Sequence, residues 1–274
     1  MTENSAQKAS ASYRLPALDQ DFLLGDSMRG VRLQLEYEKA EERLRAWMVR
    51  STIVVFGSAR APAADPKGEP KQINGTATLG YWYEEARHFG RVASERGGAL
   101  IAHDGQRDNV IATGGGPGIM EAANRGASEA GAPSIGFNIG LPHEQEPNAY
   151  STPDLTFLFH YFAVRKLHFA MRANALVVFP GGFGTLDELF EMLTLVQTSK
   201  MRRVPIVLVG RSYWSSVINF EQLVQAGTVD PADLNLFSYA NDAEDAWQEL
   251  VRRGLQSGQR PPGLPSISRR RRSM

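Results

Sequence analysis

The sequence predicts a doubly wound α/β protein, a parallel sheet with helices on both faces, preceded by a helical N-terminal extension. Three observations predict it. Short β-branched runs such as Thr52–Phe56 and Ala175–Phe179 are apolar throughout rather than alternating, as strands covered on both faces require. Segments with helical patterning separate them in regular alternation, which implies right-handed β–α–β units. Gly and Pro punctuate nearly every junction.

Residues 1 to about 20 mix Ser, Ala, Gln and Lys without periodicity and read as a frayed arm. Val31–Met48 carries apolar Val31, Leu33, Leu35, Leu44 and Trp47 among dense charge, without Gly or Pro inside it, and reads as a helix packed on the domain or a partner. Thr52–Phe56 is the first strand, closed by Gly57, and 61–78 is a Pro- and Gly-rich loop. A helix over 81–96 stops at Gly97-Gly98. Strand 109–112 enters the turn Thr113–Gly118, followed by helix 119–130. Strands 134–139 and 155–159 and helix 161–172 come next. Strand 175–179 ends in Pro180-Gly-Gly-Phe-Gly-Thr185, which opens a helix to about 199. Strand 204–209, a helix over 213–225 and a last helix over 243–253 complete the domain. The expected organisation is therefore an arm and helix over 1–50, one doubly wound α/β domain over 51–255, and a disordered basic tail over 256–274.

Composition narrows the function. Thirty basic residues balance thirty acidic ones, and four of the basic residues are the terminal run Arg269 to Arg272. A specific electrostatic grip on nucleic acid is not indicated, and a DNA-handling role is disfavoured. There is no cysteine, which excludes disulfides, thiolate metal sites and a cysteine nucleophile. No apolar run is long enough to cross a bilayer, and Met1–Leu15 lacks an apolar signal core, so the expectation is a cytoplasmic protein without membrane contact. The five histidines show no metal-ligand spacing, and no metal is expected.

The chemistry points to two glycine-rich strand-to-helix turns. In an open α/β sheet, ligands bind beyond the carboxyl ends of the strands where strand order reverses. Gly114, Gly115, Gly116 and Gly118 follow one strand, and Gly181, Gly182 and Gly184 follow another. Glycines let the backbone approach a ligand, and a helix start presents free N–H groups and a positive dipole end. Together they make an anion site, most naturally for phosphate. The plainer explanation is that the glycines only make tight turns; two such turns in one domain favour a ligand. Neither turn reads G-x-G-x-x-G, and there is no G-x-x-x-x-G-K-[ST], so neither a dinucleotide nor triphosphate cleavage is indicated. A nucleoside monophosphate fits best.

The charged residues stay open on local physics. Thr185-Leu-Asp-Glu188 has the spacing of a capping box, which would make Glu188 a structural cap, yet the same position holds its carboxylate at the rim of the anion site. Glu121 stands similarly, three residues past Gly118. Arg165-Lys166 near a helix start is either a solvated pair or cations balanced by a ligand or by Glu188.

These residues resemble the LOG ("Lonely Guy") family, formerly labelled "possible lysine decarboxylase". The family's P-G-G-x-G-T-x-x-E is present as Pro180-Gly-Gly-Phe-Gly-Thr-Leu-Asp-Glu188, its R-K pair as Arg165-Lys166, and its G-G-G-x-G-x-M as Gly114-Gly-Gly-Pro-Gly-Ile-Met120. A methionine common four residues after the arginine is Phe169 here. The stretch Asn138–Gln145, with Phe183–Phe190, is similar to the longer bacterial branch. The resemblance implies a Rossmann-like hydrolase that cleaves the N-glycosidic bond of a purine nucleoside 5′-monophosphate, AMP or cytokinin-type, giving free base and ribose 5-phosphate. Glu188 and Arg165 would be catalytic. Gly181, Gly182, Gly184 and Thr185 would bind the phosphate. Gly115, Gly116, Gly118, Met120, Glu121 and Lys166 would bind the rest of the substrate. No cofactor is implied, because decarboxylation would need a pyridoxal Schiff-base lysine with partners for its ring. The resemblance also implies a homodimer or larger homo-oligomer, weakly supported by the apolar helix around Leu189–Val196. The alternative is a non-catalytic protein that binds a nucleotide or the molybdenum cofactor.

Overall fold

In a computed structural model, residues 4–63, 72–73, 76–100, 104–140 and 146–256 are described. The Arg269–Arg272 tail, the end of the 138–145 stretch and part of the 61–78 loop lie outside them.

Two short helices, α1 (Ser5–Ala9) and α2 (Gln20–Leu24), precede the long α3 (Arg29–Ala46). Strand β1 (Thr52–Phe56) follows, then a small antiparallel pair, β2 (Gln72–Ile73) and β3 (Thr76–Ala77), and α4 (Leu79–Arg96). The alternation continues through β4 (Val110–Thr113), α5 (Ile119–Glu129), β5 (Ser134–Ile139), β6 (Thr156–Phe159), α6 (Phe162–Arg172), β7 (Ala173–Val178) and α7 (Phe183–Gln197). It ends with β8 (Ile206–Val209), α8 (Arg211–Val217), α9 (Phe220–Gln225), β9 (Ser238–Ala240) and α10 (Ala243–Arg252).

Seven strands form one parallel sheet in the order β6-β5-β4-β1-β7-β8-β9. The expected doubly wound sheet is therefore present. Strand polarity of burial explains both helix layers. Val54 and Phe56 of β1 face one core with Leu176, Leu208 and Trp214, under α3, α6, α7 and α8. Ile53 and Val55 face the other with Ile111, Val177 and Val209, under α4, α5 and α10. The chain winds outward from β1 to β6, then returns through α6 to lay β7 on the other side of β1. The switch point is therefore the gap between the carboxyl ends of β1 and β7, where this architecture leaves a crevice.

Several expectations are corrected. The 1–20 arm is not wholly irregular: Asp19 caps α2 through the Phe22 N–H, and α1 and two 3₁₀ turns precede it, all solvent-exposed. The 61–78 loop holds the β2–β3 pair, and β9 lacked a long apolar run to signal it. The expected 213–225 helix is two helices, because Ile218 is extended and Asn219 restarts the chain by capping the Gln222 N–H.

Helix α3 is part of the body. Glu41 is 2% exposed and pairs with Arg172 of α6, with His168 Nδ1 3.6 Å away. Glu36 accepts from the His160 and Tyr161 N–H groups at 2.9 and 3.2 Å, just before α6 begins. The Arg32 guanidinium donates to Tyr161 Oη and to the Leu23 and Gly25 carbonyls. The extension thus fixes the start of α6, the helix that carries Arg165.

Candidate active site

The turns after β1, β4 and β7 interlock. Ser58 N–H donates to the Pro180 carbonyl at 3.0 Å, and the Ser58 carbonyl accepts from Ile119 N–H at 3.0 Å. A Cβ at Gly181 would lie 2.2 Å from Thr185 Oγ1 and 2.9 Å from Ser58 N; at Gly118, with φ of 73°, it would lie 2.3 Å from the Ser58 carbonyl oxygen. Both glycines are needed for close approach of backbone to backbone. Gly182 and Gly184 differ: a Cβ at either meets nothing within 4 Å. Their lack of side chain serves no protein packing and leaves the mouth of α7 open. Tyr213 Oη donates to the Gly181 carbonyl at 2.6 Å and braces this loop.

At the switch point lies a cleft of about 800 Å³. Glu188, Arg165, Met120, Gly181, Gly182, Gly184 and Thr185 all line it, so the structure brings these expected site residues together. Lys166 does not line it; its ammonium binds Asp187 and Glu191 at 2.8 and 3.0 Å, joining α6 to α7. Glu121 lines a separate small cleft beside Asn148 and accepts from Tyr83 Oη at 2.7 Å. Gly115 and Gly116 are buried behind the wall, where Gly115 abuts Asn138 and the Gly116 carbonyl accepts from Asn148. Gly118 supports the Ser58–Ala59 turn instead of facing the cleft.

The capping-box reading of Thr185-x-x-Glu188 is corrected. Helix α7 begins at Phe183 with Gly182 as N-cap and no side-chain cap, so Thr185 is the third helical residue and Glu188 lies in the second turn. A helical side chain leans toward its own N-terminus. The Glu188 carboxylate therefore lies over the first turn, whose leading N–H groups have no intrahelical acceptor.

Burial decides the electrostatics. Glu188 is 6% exposed. Desolvation of the carboxylate raises its pKa to about 7, against the opposing pull of the Arg165 and Lys166 charges. Arg165 Nη2 stands 3.8 Å from Glu188 Oε1, an ion pair too long for a hydrogen bond. The Arg165 Nε is buried with no hydrogen-bond partner among the described residues. Burial lowers the Arg165 pKa, and the guanidinium lies 5.4 and 5.9 Å from the rings of Phe169 and Phe162. The arrangement is a carboxyl group that changes charge near neutral pH, a cation with a spare donor, and a helix N-terminus, in one crevice.

Sequence reasoning missed the β1 side of this site. Ser58, Ala59 and Arg60 line the cleft, as do Leu79, Phe162 and Phe183. The available signal was Gly57 directly after the central strand, since ligands sit beyond strand carboxyl ends. Among the described residues no group of three or more His, Asp or Glu side chains gathers to hold a metal, and no helix is long and apolar enough to cross a membrane.

Fold and crevice together define a Rossmann-like α/β protein with a cleft at its switch point, onto which the N-terminus of α7 opens. A family model described as "possible lysine decarboxylase" matches residues 120–250. The chain is 25% identical over 166 residues to a rice (Oryza sativa subsp. japonica) protein named probable cytokinin riboside 5′-monophosphate phosphoribohydrolase LOG4, covering 60% of this chain and 70% of that one. It is 31% identical over 87 residues to cytokinin riboside 5′-monophosphate phosphoribohydrolase LOG7 of Arabidopsis thaliana, covering 31% of this chain and only 40% of the relative. A solved molybdenum cofactor binding protein from Rippkaea orientalis aligns with a TM-score of 0.46 at 20% identity, over 75% of this chain and 97% of that one. The chain is thus similar to proteins named LOG, and the matched region includes both the Arg165-Lys166 pair and the Pro180–Glu188 motif.

Proposed function

We propose that this protein hydrolyses the N-glycosidic bond of a purine nucleoside 5′-monophosphate, AMP or a cytokinin-type nucleotide, to the free base and ribose 5-phosphate. The observation that carries this reading is the Glu188 carboxyl, buried over the open N-terminus of α7 with Arg165 3.8 Å away. The names of the curated relatives agree with it.

In this reading the 5′-phosphate sits on the free N–H groups at the start of α7, with Gly182 and Gly184 admitting it and Thr185 beside it. Anchoring there fixes C1′ against Glu188, so remote binding energy orients the reacting carbon. As the C1′–N9 bond breaks, its electron pair leaves with the base and the ribose takes on oxocarbenium character. Ionised Glu188 stabilises that charge and takes a proton from the water that bonds to C1′. A proton returns to the departing base, so one water is consumed and one base is released. Arg165 holds Glu188 in place and keeps part of its population ionised. A carboxyl with pKa about 7 suits a base working near neutrality.

Incubation with AMP followed by chromatography tests the reading. Adenine and ribose 5-phosphate in equal amounts are expected. AMP recovered intact from a tight complex would instead make the protein a nucleotide carrier. Glu188→Gln should retain AMP binding and lose at least about 100-fold in turnover; near-wild-type turnover would remove Glu188 from the chemistry.

A further inference from the structure

The charges along the cleft do not balance pairwise. Asp187 is held by Lys166 at 2.8 Å, and Glu188 faces Arg165 at 3.8 Å. Arg60 also lines the cleft, yet its guanidinium has no carboxylate partner among the described residues. Its side chain is exposed while its backbone is fixed. Arg60 N–H donates to Ser58 Oγ at 3.1 Å, and Ser58 is tied to Pro180 and Ile119 through its own N–H and carbonyl. A rigid turn therefore presents to the cavity a cation unpaired among the described residues, from the β1 lip of a crevice whose β7 lip is the N-terminus of α7.

We infer that Arg60 is a second phosphate-binding residue of this cleft, gripping the 5′-phosphate of the substrate from the side opposite α7. The inference rests on the proposed nucleotide reading and deepens it. A helix N-terminus supplies only about half a positive charge, which does not neutralise a phosphate carrying nearly two negative ones. Arg165 cannot supply the rest without leaving Glu188 buried beside a new anion. A guanidinium offers paired donors in a plane that matches phosphate oxygens, which an ammonium does not. This assigns Arg60 to discrimination between phosphorylated and unphosphorylated substrates, apart from bond cleavage.

The test compares wild type, Arg60→Ala and Arg60→Lys by calorimetry with ribose 5-phosphate and by kinetics with AMP and adenosine. Because Arg60 is exposed, both variants should fold, which circular dichroism checks. Arg60→Ala should weaken ribose 5-phosphate binding about 10–100-fold, the range of lost charge-assisted hydrogen bonds. It should raise the KM for AMP far more than it lowers kcat, and shrink the preference for AMP over adenosine by a similar factor. Arg60→Lys should recover only part of the loss. Ribose 5-phosphate affinity within twofold of wild type in Arg60→Ala would overturn the inference while leaving the nucleotide reading standing. A wild-type protein that binds no ribose 5-phosphate and cleaves no AMP would overturn both.

Discussion

Replacing Glu188 by Gln should make the protein more stable at pH 8 and leave it little changed at pH 4. The unfolded chain ionises this carboxyl at its ordinary value of 4.5, whereas the folded chain holds the proton until about 7. Between those values the folded state binds more protons, so this group lowers stability as pH rises from 4.5 to 7 and no further above that. At 1.36 kcal/mol per pH unit the interval corresponds to about 3 kcal/mol. The wild type carries this cost near and above neutrality, and Gln removes it while keeping the shape. For a chain of this size that is on the order of 6–10 °C in Tm. His168 works in the opposite sense. Burial among Tyr37, Phe137 and Phe159 depresses its pKa from 6.5 to about 4. The folded state then binds fewer protons, so stability is lost as pH falls from 6.5 through 4, again by about 3 kcal/mol. The two slopes oppose each other over nearly the same window, so the wild type should be almost flat. Glu188→Gln should expose a loss toward acid, and His168→Phe, which keeps the ring stacking, a loss toward base. Urea titrations at pH 4.5, 5.5, 6.5 and 8 give the midpoints, with unchanged m-values as the control. A pH-independent offset between Glu188→Gln and wild type would refute this account of the buried carboxyl.

Arg165→Ala removes the largest charge holding Glu188 ionised, so the Glu188 pKa should rise further and AMP turnover should fall at least about 10-fold at pH 7, recovering partly at higher pH. The pH dependence of kcat/KM for AMP should show an acid limb near 7, above the limb near 6 that substrate phosphate alone would give. Gly181→Ala should cost about 1–3 kcal/mol in urea denaturation, because its Cβ meets Thr185 Oγ1 at 2.2 Å. Gly182→Ala should leave stability within about 0.5 kcal/mol, since nothing lies within 4 Å, yet weaken ribose 5-phosphate binding by filling the mouth of α7.

The sheet could be read from the sequence because its strands are continuous apolar runs, a pattern that a buried parallel strand imposes. Strand β9 escaped because it is a three-residue edge element whose outward positions are half-exposed. The α8–α9 break escaped because Ile218 continues the apolar pattern and only Asn219 marks the restart. At the site, the residues expected to act on phosphate and C1′ do share one cleft. Gly115, Gly116, Gly118, Glu121 and Lys166 do not line it: a glycine needed for close packing looks the same in a sequence as one that admits a ligand, and the two charged residues are taken up by Tyr83 and by Asp187 and Glu191. What a Cβ would touch separates these roles: at Gly118 and Gly181 it would strike backbone or Thr185, whereas at Gly182 and Gly184 it would strike nothing. Arg60 left no mark because its meaning depends on which cations of the cleft are already paired.

Charge balance also explains why the cleft would need two arginines in different settings. A carboxylate serving as a base and a phosphate held within the same crevice repel each other, and binding the second would push the proton back onto the first. That repulsion would be worst in the buried setting that gives Glu188 its pKa near 7. Arg165 is itself buried, lies against two phenylalanines and stands beside Glu188, so its charge is committed to that carboxyl. A cation reserved for the phosphate must come from elsewhere, and it must be mobile enough to follow the ligand. An exposed side chain on a rigid turn meets both conditions, and Arg60 is such a residue. With one arginine for each anion, the substrate can be anchored tightly without turning Glu188 into an acid that no longer accepts a proton.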